Sequence, residues 1–240
     1  MIYTVTKFEQ QIKQMANDFA YIKQNLSQTD GPIFIELIGT PKSGKTSLLG
    51  QLEKAFQTSS VPLSTRQETA EYNPIENKEI EEYNIWMLME LMKNLSADLS
   101  DKTPRIIVYD RGILDRLPWL DLSKSMSEKD TAIIKQLYNT DFVQKYKPIS
   151  YCFITSPEIS IQRKGKPGRL VNTQTIEAFN KCFSKSIPMI KEHSSKVTIQ
   201  ETDAYQGKIK KFLMDMTERI VHDLSETIKE KQHEKRDERE

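Results

Sequence analysis

The sequence predicts an α/β protein built around a five-stranded parallel sheet, and three patterns support this. Short apolar segments alternate with longer segments of helical periodicity along the 240 residues. A glycine-containing loop follows the first apolar segment, and charged side chains follow the second and third. Because the carboxyl ends of parallel strands meet at one edge of a sheet, these charged residues are expected to share a site.

The first predicted element is one long amphipathic helix. Its apolar residues alternate spacings of three and four, which is the a/d seam of three heptads. The sequence TDGP ends the helix at positions 29–32. Such a seam either packs on the rest of the chain or holds a partner, as a homodimer or with another protein, and the periodicity leaves both open. The seam residues are Val5, Phe8, Ile12, Met15, Phe19, Ile22 and Leu26.

Five strands and their connecting helices are expected in alternation after this helix. The strands are positions 33–38, 61–68, 105–110, 149–155 and 196–201. The helices are the segment after the glycine loop, positions 76–99, a stretch to about Lys147 broken near Pro118, positions 173–194, and a last helix from about Gln206. The expected organisation is an N-terminal helix over 1–30, one domain over 31–225, and a charged tail over 226–240 that frays.

The composition argues against several function classes. A net charge of +1 gives no overall attraction to nucleic acid or to membranes, so neither is expected as a partner. The two cysteines, thirty positions apart, form neither a metal-ligand spacing nor a disulfide framework. The N-terminus is polar too early for a signal peptide, and no apolar run approaches membrane-spanning length. A cytoplasmic protein is therefore expected.

The segment GTPKSGKT at positions 39–46 matches the pattern G-x-x-x-x-G-K-[ST], with a strand before it and a helix after it. Gly39 and Gly44 let the backbone turn its N–H groups toward phosphates, Lys45 reaches the β- and γ-phosphates, and the Thr46 hydroxyl suits Mg²⁺. The alternative is a glycine turn that only caps a helix. The predicted ATP-binding residues are Gly39, Thr40, Pro41, Lys42, Ser43, Gly44, Lys45, Thr46 and Ser47.

The third strand ends in Asp110, and Arg111 comes next, at the carboxyl end of the strand. Asp110 is interpreted as an acid that supports Mg²⁺ through water, as a helix N-cap, or as both. Arg111 is expected to face the phosphates and to complement their charge. Arg116 lies five positions further on and is expected to be solvated rather than part of the site.

Two further charged segments follow strand ends. Glu68 and Arg66 share a face of the second strand by alternation. Glu68 is placed to accept a proton from an attacking hydroxyl, to hold Arg111, or simply to be solvated. After strand four, RKGKPGR carries Arg163 and Arg169. This segment suits a lid that brings cations to the γ-phosphate, or it is an ordinary basic loop.

The helix at 76–99 offers an apolar stripe of Tyr83, Trp86, Met87 and Leu91, with the amide of Asn84 beside it. These side chains either form an aromatic wall for a nucleobase or belong to the core, and such a stripe is more often core.

With these motifs in this order, residues 33–203 resemble the P-loop nucleoside and nucleotide kinases, particularly the thymidylate kinase and deoxynucleoside kinase group. GTPKSGKT matches their P-loop, TRQET their second-strand segment, YDRG their Asp-Arg or Glu-Arg signature, and RKGKPGR their lid. The resemblance implies a three-layer P-loop NTPase fold with sheet order 2-3-1-4-5, here with extra terminal helices. It also implies MgATP as donor, Glu68 as base, Arg111 orienting acceptor and phosphate, and Arg163 or Arg169 clamping the γ-phosphate.

Two functions follow as expectations. The first is an ATP-dependent small-molecule kinase that transfers the γ-phosphate to a nucleoside or a nucleoside monophosphate. The alternative is a regulatory P-loop ATP-binding or ATPase subunit whose terminal helices hold a protein partner. The glycine-loop and catalytic-loop signatures of protein kinases are absent from the sequence.

Overall fold

A computed structural model describes residues 7–78, 80–123, 126–163 and 172–237. In this part of the chain a five-stranded sheet, parallel throughout, has the order β2-β3-β1-β4-β5. This confirms the order implied by the resemblance. The strands are β1 (Ile33–Gly39), β2 (Leu63–Arg66), β3 (Ile106–Asp110), β4 (Ile149–Ile154) and β5 (Lys196–Glu201).

Helices cover both faces of the sheet. The helix break predicted near Pro118 is not at this residue. Pro118 lies in the first turn of a short helix, where a missing N–H costs nothing. In the described residues the helices are α1 (Lys7–Asn25), α2 (Lys45–Ser59), α3 (Glu81–Ser100), α4 (Arg116–Leu122), α5 (Glu128–Leu137), α6 (Asp141–Gln144), α7 (Pro157–Gln162), α8 (Thr173–Glu192) and α9 (Ile209–Asp237). None of them is long and apolar enough to cross a membrane.

The central strand β1 supplies both cores through its alternation. Ile35 and Leu37 pack with α1, α2 and α9 on one face. Phe34 and Ile38 pack with α3, α4 and α8 on the other. Glu36 lies on this second face and is fully buried, so the strand predicted as continuously apolar carries an ionisable group at its centre.

The N-terminal helix packs on the chain's own last helix. Phe19 and Ile22 are buried in the same core as residues of α2 and α9, and the Phe19 and Phe56 rings meet edge to face at 5.0 Å. The Tyr21 hydroxyl donates to Gln232 Oε1 at 2.8 Å. Ile12, nearer the start of the helix, stays 44% exposed. The inner part of the seam is thus covered by this chain, whereas a dimer or partner contact through the outer part stays a prediction.

The last helix runs into the charged segment, as the sequence predicts. It continues to Asp237 through most of the segment 226–240 that the sequence predicts to fray. Ile228 is fully buried against the first core, and Lys235 Nζ donates to Gln28 O and to Asp30 Oδ1, both at 2.6 Å. The charged residues stay helical because the opposite face of the same helix packs on α1. The proposed division at 30 and 225 stays a prediction.

Candidate functional site

The loop between β1 and α2 has the backbone that its glycines predict. Gly39 has a φ of +128° and Gly44 a φ of +102°, both in the left-handed region. A Cβ on Gly39 would lie 2.1 Å from the carbonyl oxygen of Phe153 in β4, so the loop and β4 need a glycine here. Lys42 also has a positive φ, of +58°. The loop therefore curves around a concave surface of backbone groups.

Lys45 lies inside this curve and is 4% exposed. Its Nζ donates to Gly39 O at 2.9 Å, to Thr40 O at 2.8 Å and to Ser43 Oγ at 3.2 Å. Burial, together with the positive charge of Arg111, lowers the pKa of Lys45 to about 7. An anion bound in the loop would favour the charged form of Lys45.

The two predicted metal ligands lie next to each other. Thr46 Oγ1 donates to Asp110 Oδ2 at 2.9 Å. The other carboxylate oxygen of Asp110 is buried and has no hydrogen-bond partner among the described residues. Burial raises the pKa of Asp110, and the charges of Lys45 and Arg111 oppose this. A hydroxyl and a free carboxylate oxygen are the hard donors that Mg²⁺ prefers, so this pair fits the ion. Asp110 is not a helix N-cap, because α4 begins only at Arg116.

Arg111 is fixed between two carboxylates at the end of β3. Its side chain is 11% exposed, with Nε 3.2 Å from Glu68 Oε2 and Nη1 2.9 Å from Asp115 Oδ2. Its Nη1 also donates to Gly39 O at 3.2 Å. Burial disfavours the charge, but the surrounding carboxylates outweigh burial and raise the pKa of Arg111. The structure thus brings the predicted Glu68 and Arg111 together beside the loop.

The sequence interpretation gave no role to the two acids that hold this arrangement, Asp115 and Glu36. Asp115 Oδ1 accepts from Gly39 N at 2.7 Å, and its other oxygen accepts from Arg111. Glu36 Oε1 accepts from Asp115 N at 2.8 Å, while Glu36 Oε2 accepts from the Tyr146 hydroxyl at 2.9 Å. Burial raises the pKa of Glu36 to about 8. The sequence did carry a signal for Glu36, because it is an acid inside an apolar strand and a glutamate is almost never fully buried unless it is paired.

One cavity of about 1390 Å³ joins the loop to the space beneath α3 and α4. The loop lines one part of the cavity, and Tyr83, Asn84 and Met87 of α3 line another part together with Trp119 of α4. Glu68 and Arg111 also line it. A volume above the usual range of about 300–1,000 Å³ for one ligand has room for two.

The predicted apolar stripe divides between cavity and core. Tyr83 and Met87 line the cavity, and both are almost fully buried. Trp86 lies instead against Tyr72, with ring centroids 5.9 Å apart, and Leu91 is a buried residue that does not line the cavity. The stripe is therefore neither entirely a wall nor entirely core.

Two arginine predictions are wrong. Arg116, expected in solvent, is 7% exposed, lines the cavity and donates from Nη2 to Asn84 Oδ1 at 2.8 Å. Arg116 is the first residue of α4, and Asn84 of α3 holds its guanidinium instead of solvent. Arg66, expected beside Glu68, donates from Nε to Asp98 Oδ2 at 2.9 Å and does not line the cavity. Strand β2 ends at Arg66, so alternation no longer relates it to Glu68.

The start of the predicted lid is attached to the loop. Arg163 follows α7, lines the cavity and donates from Nη1 to Lys42 O at 2.8 Å. Lys42 Nζ donates back to Arg163 O at 3.3 Å. A further residue missed from sequence, Asn180 of α8, accepts from Thr40 Oγ1 at 2.7 Å. Arg169 lies outside the described residues.

Comparisons with known proteins agree with this geometry. Residues 34–208 match the family model described as an AAA domain. No curated protein matches the chain. The solved structure of deoxyadenosine kinase from M. mycoides with bound dATP is similar, with a TM-score of 0.56 and 18% identity, and the match covers 77% of this chain and 98% of that one. The same kinase with bound dCTP gives a TM-score of 0.53 at 18% identity, again with 77% and 98% covered. The chain therefore belongs to the AAA domain family, and its fold is the P-loop fold that deoxyadenosine kinase also has.

Proposed function

We propose that the protein is an ATP-dependent kinase that transfers the γ-phosphate to a nucleoside or a nucleoside monophosphate. The observation that carries the proposal is the Glu68–Arg111 ion pair of 3.2 Å. This pair lines the same cavity as the P-loop and the residues of α3. A cation and a proton acceptor beside a phosphate-binding loop are the groups that phosphoryl transfer uses. The shared fold with a deoxyadenosine kinase supports the proposal.

The P-loop residues 39–47 bind the triphosphate of ATP through their backbone N–H groups and through Lys45. The Thr46 hydroxyl and the buried Asp110 carboxylate would hold Mg²⁺ beside the triphosphate. When bound, the ion neutralises charge on the β- and γ-phosphates. Lys45 exchanges its three loop acceptors for phosphate oxygens, which favours its charged form.

Glu68 and Arg111 act on the acceptor. Glu68 accepts the proton of an attacking hydroxyl while that oxygen bonds to the γ-phosphorus and the bond to the β–γ bridging oxygen breaks, releasing ADP. The attacking oxygen of a nucleoside monophosphate carries no proton at neutral pH, and Glu68 then serves to hold Arg111. Arg111 is fixed by Asp115 and Gly39 O, so it stabilises the developing charge without moving.

Arg163 is proposed to clamp the γ-phosphate together with Arg169. Its contacts to Lys42 O and Thr202 O, at 2.8 and 3.3 Å, keep it beside the loop.

The test is product analysis after incubation with MgATP and a panel of nucleosides and nucleoside monophosphates, read by mass spectrometry. A phosphorylated acceptor is expected with the wild-type protein and not with Lys45→Ala. Glu68→Gln should lower turnover on a hydroxyl acceptor by roughly 10²- to 10⁴-fold and leave ATP binding intact. The matched control is Glu71→Gln, an exposed carboxyl three positions away, which should change neither. Undiminished turnover in Glu68→Gln would exclude it as the base.

The alternative is a regulatory ATP-binding subunit, favoured by the exposed outer part of α1 around Ile12. ATP binding that needs Lys45, with no acceptor consumed from the whole panel, would support this alternative. A protein partner would then be sought with Ile12→Asp, which changes the exposed face and leaves the buried part of α1 unchanged.

A further inference from the structure

The charges that line the cavity are mostly positive. Beside the carboxylates of Glu68 and Asp115 the cavity presents a larger set of cations, namely Lys42, Lys45, Lys78, Arg111, Arg116 and Arg163. Under the proposed function the lysines of the loop and Arg163 face the triphosphate of ATP. Both carboxylates are bound to Arg111. Arg116 and Lys78 are the two cations of this set that neither face the triphosphate nor pair with these carboxylates.

Arg116 is the more informative of the two because it is buried. It is 7% exposed, and its described hydrogen bond goes to Asn84 Oδ1, a neutral amide, at 2.8 Å. Its Nε is buried without a hydrogen-bond partner in the described part of the chain. Burial lowers the pKa of Arg116, and the carboxylates of Asp115 and Glu68 oppose this only in part. Arg111, whose side chain is 11% exposed, differs from Arg116 because it contacts two carboxylates.

Lys78 is an exposed residue that lines the same cavity. Its Nζ is 6.0 Å from the centroid of the Tyr83 ring, which lines the cavity. Arg116 also interacts electrostatically with Tyr83. Neither Lys78 nor Arg116 forms an ion pair with a described carboxylate. Two cations thus act on one aromatic side chain where the acceptor is proposed to bind.

We propose that Arg116, assisted by Lys78, binds an oxyanion of the acceptor, so that the acceptor is an anionic nucleoside derivative and not a neutral nucleoside. The inference rests on the proposed function and names the acceptor class. A guanidinium binds phosphate or carboxylate through paired N–H groups, and the attraction is strongest where water is excluded. A ligand oxyanion would supply the compensating charge that the protein does not.

The first experiment measures binding by calorimetry, without ATP, to three probes. These are a nucleoside, its 5′-monophosphate, and a nucleoside whose base carries a carboxylate. At least one anionic probe should bind about 10- to 100-fold more tightly than the neutral one, the range for hydrogen bonds to a charged group. A preference for the monophosphate or for the carboxylate identifies the source of the oxyanion. Equal or weaker binding of both anionic probes would overturn the inference.

Variants then assign the preference to its residues. Arg116→Gln should remove most of the preference for an anionic probe, while Arg116→Lys should keep part of it. Lys78→Gln, at an exposed residue whose replacement does not threaten folding, should reduce the preference about two- to fivefold. The matched control is Lys129→Gln, an exposed lysine of α5 outside the cavity. If Arg116→Gln does not fold, Lys78→Gln and Arg116→Lys decide, and an unchanged preference in both contradicts the inference.

The transfer assay separates this inference from the proposed function. Phosphorylation of a neutral nucleoside, with no preference for an anionic one, overturns the inference and leaves the proposed function standing. Transfer to none of the probes contradicts the proposed function, and the inference is then decided by the binding preference alone.

Discussion

Replacing Glu36 with Gln should make the protein more stable than wild type at alkaline pH. In the folded protein burial raises the pKa of Glu36 from 4.5 to about 8. In the unfolded chain the carboxyl ionises at its ordinary value. Between about pH 4.5 and pH 8 the folded state therefore binds more protons than the unfolded state, and stability falls as the pH rises. Glutamine does not ionise, so the variant lacks this loss.

The magnitude follows from the pKa values. One pH unit inside the window corresponds to about 1.36 kcal/mol, which gives a total of about 5 kcal/mol for Glu36. Between pH 5 and pH 8 the unfolding free energy of Glu36→Gln should rise relative to wild type by about 3 to 4 kcal/mol. The amide oxygen still accepts from Asp115 N, and its NH₂ can donate to the Tyr146 oxygen, so the fold is kept.

The assay is urea unfolding followed by tryptophan fluorescence at pH 5, 6, 7 and 8. The quantity of interest is the difference between variant and wild type, which cancels the other titrating groups. Glu177→Gln, at an exposed position of α8, is the control and should show a flat difference. A flat difference for Glu36→Gln as well would refute the reasoning, because Glu36 would then ionise alike in both states.

Three other predictions concern the loop and the first helix. Binding of MgATP should take up a proton near pH 7 to 8, because the phosphates raise the pKa of Lys45 from about 7. Calorimetry in buffers of different ionisation enthalpy measures this uptake, and an uptake that persists in Lys45→Met would contradict the prediction. Gly39→Ala should destabilise the protein by several kcal/mol, because the new Cβ would lie 2.1 Å from a carbonyl oxygen of β4. The control Gly50→Ala in α2 meets nothing within 4 Å and should stabilise the protein by up to about 1 kcal/mol. Equal effects of the two variants in thermal unfolding would argue against the observed loop. Phe19→Ala should lower the free energy of unfolding in urea by about 3–5 kcal/mol, and Ile12→Ala, at an exposed position, by less than about 1 kcal/mol. A small decrease for Phe19→Ala would mean that α1 is not part of the core.

The sequence alone determined the features that depend on neighbouring residues. The loop at 39–46 is contiguous, and each of its positions has a local reason, so its conformation was predictable. Strand β5 was predicted at its observed bounds of 196–201, because period and turn signals mark both ends. Asp110 and Arg111 were placed correctly at the sheet edge because parallel topology fixes where strand ends lie.

Periodicity misled the prediction where an element ended early or changed partner. Strand β2 stops at Arg66, two residues before Glu68, so Arg66 reaches Asp98 of α3 and not the cavity. The charged end of α9 was expected to fray, yet its inner face packs on α1. A one-dimensional pattern shows that a face is apolar but does not show what covers it.

Only the tertiary structure decided which buried charges support the site. Glu36 and Asp115 are 79 positions apart in the chain, yet a hydrogen bond of 2.8 Å joins them. Arg116 lines the cavity with its guanidinium bound to Asn84 of α3, 32 positions away. Each of these side chains gains its role from a partner on a distant element, and burial makes the pairing matter by removing water. The sequence thus determined that the protein has a P-loop, whereas packing decided which charges surround the cavity beside it.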